Sequence, residues 1–208
     1  MKELKVTEFI NQLASDAPTP GGGAAAGVTA GLGVGAILMA MIFSKNKKMS
    51  EQEHEFLLKK IEDFEKSKQI FIEIIDRDAS EFEPLSKAYG MPKATDEEIA
   101  ARNEAMEEGL KIASRPPIDL LNEVEKILTG FEDVIPLIKK MIISDVGVGL
   151  QMLRSAIHAS SLNLYINGGQ IKDEAVKQEY FDLANNKVAD LSAKADALYA
   201  QVKEILVP

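Results

Sequence analysis

Pro18-Thr19-Pro20-Gly21-Gly22-Gly23-Ala24 opens a run that continues to Phe43 without a single charged residue. Glycines recur at Gly23, Gly27, Gly31 and Gly35, so on a helix they fall along one face. A stripe without side chains lets another backbone come close. The run is therefore expected to form a central helix on which other helices pack. The Pro-Gly-Gly-Gly turn ahead of it leaves backbone N–H groups unpaired at the helix N-terminus. Such groups hold anions and carbonyl oxygens, which makes Gly21, Gly22 and Gly23 candidate ligand contacts.

The same run admits other readings. Its length suits a membrane span, and four-residue glycine spacing is also a transmembrane packing motif. Against this, every later segment is charged and amphipathic, and glycine and alanine dilute the hydrophobicity, so no membrane partner is expected. A secretory signal fits poorly, because Glu3, Glu8 and Asp16 precede the run and no small-residue cleavage site follows Phe43. A phosphate loop would need a Gly-Lys-Ser/Thr ending, and a dinucleotide fold a preceding strand; neither is present. A buried core helix with no function of its own stays open as an alternative.

At 208 residues the chain suits one well-buried domain, spanning 1–208. The net charge of −9 argues against a nucleic-acid partner, although local lysines can still focus a field on an anionic substrate. Cysteine is absent, which excludes disulfides and thiolate chemistry. With only His54 and His158, a histidine-rich metal site is not expected. The default location is cytoplasmic.

Along the chain the signals are helical. Thr7 is expected to cap a short helix with Phe9, Ile10 and Leu13 on its apolar side. Ser50 with Glu53 forms a capping box for a long helix reaching about Ala88, and Thr95 with Glu98 forms another. In the long helix Leu57, Ile61, Phe64, Phe71, Ile75 and Phe82 mark the buried face. Asp78 falls on that face, three residues after Ile75 and four before Phe82. A carboxylate there is costly to bury unless it is paired or hydrogen-bonded; either an arginine such as Arg102 or Arg154 holds it as a structural tie, or it is a proton carrier. Asp76 and Glu81 are expected to be solvated. Pro116-Pro117 should end or kink a helix, and a shorter one is expected from Val134 to Ile142. Ser144 should cap the next, with Asp145 in its first turn and Gly168-Gly169 closing it; Asn163 and Asn167 lie four apart on one side. From Tyr180 through Ala184, Val188, Leu191, Ala195, Leu198, Val202 and Ile205 the apolar steps alternate four and three, a seam for one neighbouring helix in this subunit or in a partner. Lys45, Lys47 and Lys48 either complement the end of the glycine-rich helix or receive a polyanion. The fold class is all-α, a single-domain helical bundle around the glycine/alanine-rich helix.

Three clusters together resemble one family. They are Pro18 to Gly23 with its helix; Asp78-Ala79-Ser80-Glu81-Phe82 followed by Met91-Pro92-Lys93, Glu98 and Arg102; and Ser144-Asp145-Val146-Gly147-Val148 with Asn163, Ile166-Asn167 and Ile171-Lys172-Asp173. The arrangement resembles the formiminotetrahydrofolate cyclodeaminase / methenyltetrahydrofolate cyclohydrolase family over essentially the whole chain. Departures include Ala24 where the family usually has serine, Ala159-Ser160 for a glycine-alanine pair, and Gly168-Gly169 for a more apolar stretch. The resemblance implies an all-helical, dimer-forming enzyme acting on one-carbon tetrahydrofolate derivatives, with Asp78 catalytic and no metal or redox cofactor. In one family reaction the folate N10 attacks the formimino carbon on N5 and ammonia leaves. In the other, water opens the 5,10-methenyl bridge to 10-formyltetrahydrofolate. Both need protons moved to and from those nitrogens, which one carboxyl poised near neutral pH can do. Asn163 and Asp145 are candidates for the amide-and-amine edge of the pterin. The glycine turn would take a folate carbonyl or carboxylate, and Lys45, Lys47 and Lys48 a polyglutamate tail. The rival of another class is a helical scaffold that keeps the fold and has lost the chemistry.

Overall fold

The glycine-rich run forms α2 (Gly22–Ser44), and its two glycine faces decide what packs against it. A computed structural model describes residues 1–46 and 48–207. Around α2 stand α1 (Val6–Leu13), α3 (Glu51–Tyr89), α4 (Asp96–Ala113), α5 (Arg115–Leu128), α6 (Ile143–Gly168), α7 (Glu174–Asp182) and α8 (Val188–Leu206). Among the described residues there is no strand.

The expected stripe is half of the packing. A Cβ added at Gly27 would meet Ile74 Cγ2 at 3.1 Å and one at Gly31 would meet Phe71 Cβ at 3.9 Å, so this face receives α3 in antiparallel register. Gly35, the last of the stripe, has nothing within 4 Å. The closest helix crossing is made by a glycine off the stripe. A Cβ at Gly33 would lie 2.9 Å from the Gly149 carbonyl oxygen, and one at Gly149 2.5 Å from that of Gly33. The Lys139 N–H donates to Ser44 Oγ at 2.9 Å, which fixes α6 antiparallel to α2 as well. Thus α2 lies between α3 and α6, with α4 on α3 and α8 on α6.

Side chains from α2, α3, α5, α6 and α8 share one apolar core that includes Ile37, Met41, Leu57, Phe71, Leu121, Leu150 and Leu198. Phe64 and Phe131 stack within it at 5.6 Å between ring centroids. Each such side chain contributes about 1.5–3 kcal/mol on burial.

Several local expectations shift. Lys5, not Thr7, is the α1 cap, and Phe9 alone of its predicted apolar side is buried. The Ser50 and Thr95 capping boxes both form. Pro116 and Pro117 start α5, in the first turn, where a missing N–H costs nothing. Two short 3₁₀ turns, Ile135–Leu137 and Lys140–Ile142, replace the helix expected there. They lead directly into α6, whose cap is Ile142, leaving Ser144 inside the first turn. Asp173 caps α7 through the Ala175 and Val176 N–H groups, and a wide π turn, Leu183–Lys187, joins α7 to α8.

The heptad-like seam is consumed inside the subunit: Ala184, Val188, Leu191, Ala195, Leu198 and Val202 are all buried. The uncovered apolar surface lies elsewhere. Leu32, Met39 and Phe43 of α2 and Val148, Leu162 and Ile166 of α6 are exposed. A groove of about 440 Å³ between Thr29, Val148, Met152, Tyr199 and Leu206 runs along this side. By length and composition α2 could cross a membrane, with a mean hydropathy of 2.0, yet half of that window is buried in the bundle.

Candidate active site

Asp78 meets the first turn of α2. Its Oδ2 accepts from the Ala24 N–H at 2.9 Å, one of the donors a helix start leaves unpaired. Position 23 has to be glycine for this contact, because a Cβ there would sit 1.9 Å from Asp78 Oδ1. Gly21 and Gly22 are open, with nothing within 4 Å of a built Cβ. Beside the turn, a cleft of about 500 Å³ is lined by Pro18, Thr19, Ala79, Ser80 and Phe82. Ala24 is fully buried, so at the position where a serine was expected the backbone N–H makes the polar contact.

Neither expected arginine reaches Asp78. Arg154 pairs with Asp196 at 2.7 Å. Gly109 packs on Leu85, which sets α4 antiparallel to α3. Arg102 and Asp78 therefore diverge by seven residues each way, about 21 Å at ~1.5 Å per residue. Among the described residues Asp78 has no ion-pair partner. Burial raises its pKa above the ordinary aspartate value; the Ala24 N–H opposes this, and the charge of Glu81 adds to it. A half-buried carboxyl without a cation is poorly explained as a structural tie. It is well suited to giving and taking a proton.

The antiparallel register places Asn163 level with Gly21–Gly23 on the α6 side, half-buried. Asn167, one turn on, is buried and donates to Ser114 Oγ at 3.1 Å, tying α6 to the α4–α5 junction. It is a packing residue. Asp145 falls at the other end, level with about Met39, which is about 24 Å along α2 from Gly23. Lys45 caps that far end, and Lys48 follows it. Lys45 lies about 33 Å from Gly23 along the helix. Lys47 lies outside the described residues. Within one subunit Asp78 meets the glycine turn of α2, Asn163 lies at the same end of the bundle on α6, and Asp145, Lys45 and Lys48 lie toward the other end.

Asp76 is at the surface as expected, where the Met1 amino group donates to it. Glu81 departs from the expectation that it is solvated. Its Oε1 accepts from Arg77 Nε at 2.6 Å, and its Oε2 is buried. The sequence signal was an ordinary i, i+4 pair, which usually marks a wet face. The same guanidinium donates through Nη2 to Asp119 of α5 at 2.8 Å, so the pair is tied to a second helix.

The fold and site together define an all-α enzyme domain built around a carboxyl held against the start of a glycine-rich helix. The chain belongs to the formiminotransferase-cyclodeaminase family, whose sequence profile matches residues 5–186. It is 30% identical over 198 residues to a methenyltetrahydrofolate cyclohydrolase from Methylorubrum extorquens, covering 95% of each chain. It is 29% identical over 171 residues to the formimidoyltransferase-cyclodeaminase of Gallus gallus, matching 82% of this chain and 32% of that one. Its fold is similar to a formiminotetrahydrofolate cyclodeaminase from Thermotoga maritima, with a TM-score of 0.80, 23% identity, and 99% and 96% of the two chains covered.

Proposed function

We propose that this chain hydrolyses 5,10-methenyltetrahydrofolate to 10-formyltetrahydrofolate, with Asp78 as the proton carrier. The observation that carries the reading is the Asp78 carboxyl itself, half-buried, bonded to one backbone N–H and, among the described residues, paired with no cation. Water attacks the bridging carbon and loses a proton to the Asp78 carboxylate, giving a tetrahedral carbon between N5 and N10. The same proton then passes to N5 as the carbon–N5 bond breaks, the hydroxyl on that carbon releases its proton to solvent to become the formyl oxygen, and the formyl group stays on N10. One carboxyl with a raised pKa serves both transfers. Asn163 and the open N–H groups of the glycine turn hold the pterin and carbonyl groups.

The end-to-end match to a cyclohydrolase favours hydrolysis. The likeness in fold to a free-standing cyclodeaminase supports a second reading. There N10 attacks the formimino carbon, and the Asp78 proton leaves with ammonia. Absorbance of methenyltetrahydrofolate decides between them: its loss on adding enzyme indicates hydrolysis, and its formation from 5-formiminotetrahydrofolate indicates deamination. A scaffold without chemistry shows neither, and no folate binding by calorimetry.

The working unit in this proposal is a cytoplasmic homodimer. Its support is the uncovered apolar face of α2 and α6, since the α8 seam is already occupied. A two-fold axis crossing the middle of that face sets the Lys45–Asp145 end of one subunit against the glycine turn of the other. In that arrangement Asp145 and the lysines meet the substrate, polyglutamate tail included, across the interface.

A further inference from the structure

Glu81 follows Asp78 by three residues on α3 and lies level with the Pro20–Gly21 turn in the antiparallel register. Its side chain is firmly held. Arg77 Nε donates to Oε1 at 2.6 Å, and the same guanidinium donates to Asp119 Oδ2 at 2.8 Å. The Glu81 side chain is only 18% exposed. Its second oxygen, Oε2, is buried and receives no hydrogen bond. A carboxylate oxygen withdrawn from water without a donor is costly, and a bound ligand is one way to satisfy it. The local charge points to the kind of ligand. One guanidinium is shared by two carboxylates, which leaves an excess negative charge before Asp78 is counted. Substrate and product of either proposed reaction include a folate whose N5–carbon–N10 unit is an amidinium cation.

We infer that Glu81 is a substrate-binding residue of this site, whose unpartnered Oε2 faces the cationic amidinium and selects it over folates that are neutral at that carbon. The inference rests on the folate reading above. It differs from a purely structural role, in which Glu81 only anchors Arg77 between α3 and α5, because anchoring is indifferent to the charge of the ligand. The effect of Glu81 on the Asp78 carboxyl agrees with its nearness to the reacting centre.

The test compares two probes in the wild type, Glu81→Gln and Glu81→Asp. One is 5,10-methenyltetrahydrofolate, read by its KM as substrate or its inhibition constant as product. The other is 5-formyltetrahydrofolate, neutral at the reacting carbon, read as an inhibitor. Losing a charged contact should weaken the cationic folate about 10- to 100-fold in Glu81→Gln and change the neutral one less than about threefold. Glu81→Asp keeps the charge but draws it back, and should recover part of the loss. If Glu81→Gln fails to fold, selective weakening in Glu81→Asp carries the inference. Equal weakening of both probes, or of neither, overturns it and leaves the folate reading intact. A wild type that binds neither folate overturns that reading and the inference with it.

Discussion

Gly23 and Asp78 compete for one space: a Cβ on residue 23 would lie 1.9 Å from Asp78 Oδ1. The absent side chain is what allows a carboxyl to reach the first turn of α2 and accept from Ala24. Gly23→Ala should therefore push the Asp78 side chain away from the Ala24 N–H. We expect a loss in kcat of about tenfold or more, because displacing a reacting group by an ångström costs on that scale or above. Gly35→Ala, with open space around it, should instead raise stability by roughly 0.5–1 kcal/mol. Rate assays and thermal melts on the two variants check this. A Gly23→Ala enzyme with wild-type turnover would separate the glycine from the chemistry.

Gly33 and Gly149 meet backbone to backbone, so neither can gain a methyl group without moving its helix. Each alanine variant is expected to lose about 1–3 kcal/mol, the usual cost of overpacking. The double variant should depart from additivity, since one displacement relieves both clashes. Chemical denaturation measures all three.

Much of this was legible in the residues. Charge-free α2, the capping boxes of α3 and α4, and Asp78 on an apolar face all follow from spacing. The four-residue stripe found the contact with α3 and missed the tighter one with α6. Gly33 is off the stripe, and its only signal is that α6 also carries glycines at 147 and 149. Ser144 and Thr7 are good caps by type, yet the 3₁₀ turn Lys140–Ile142 runs straight into α6, and α1 starts at an extended Lys5 whose N–H donates to Glu8. The seam on α8 could not say which chain it packs on. Spacing along α3 alone reads Glu81 as solvated, because it does not show α5, whose Asp119 holds the Arg77 that pairs with Glu81.

Exposed Leu32, Met39 and Phe43 along α2, with Leu162 and Ile166 toward the other end of α6, are large apolar side chains left in water. Light scattering without detergent, at micromolar concentration, should give the mass of two chains. Leu32→Glu with Leu162→Glu should give one, with helical content unchanged. A wild type of one-chain mass would remove the dimer.

The lysines test how that dimer is arranged. If Lys45 and Lys48 serve the partner's site, then replacing Lys45, Lys47 and Lys48 together by alanine should reduce affinity for polyglutamylated folate and spare the monoglutamyl form. The monomeric variant should lose the same preference. Unchanged discrimination in the lysine variant would return these residues to simple helix-end complements.

Asp78→Asn separates chemistry from architecture. A carboxyl paired with a buried arginine would leave a stranded charge on substitution, costing about 3–5 kcal/mol. Among the described residues Asp78 has no such partner, so the fold should tolerate asparagine, whose carbonyl can still accept from Ala24. The pH dependence gives the sign. Burial raises the Asp78 pKa, so the folded state holds this proton more tightly than the unfolded chain does. Its contribution to stability is thus fully present below the unfolded aspartate pKa and is lost as pH rises through the higher folded value. Relative to wild type, Asp78→Asn should melt at the same temperature or higher near pH 7–8, with the difference shrinking in acid. Turnover should fall by about 10²–10⁴-fold, the range for losing a general acid/base, with folate still bound. A folded variant that turns over at the wild-type rate would move the proton transfers to another group, and Glu81, one turn away, is then the first to examine.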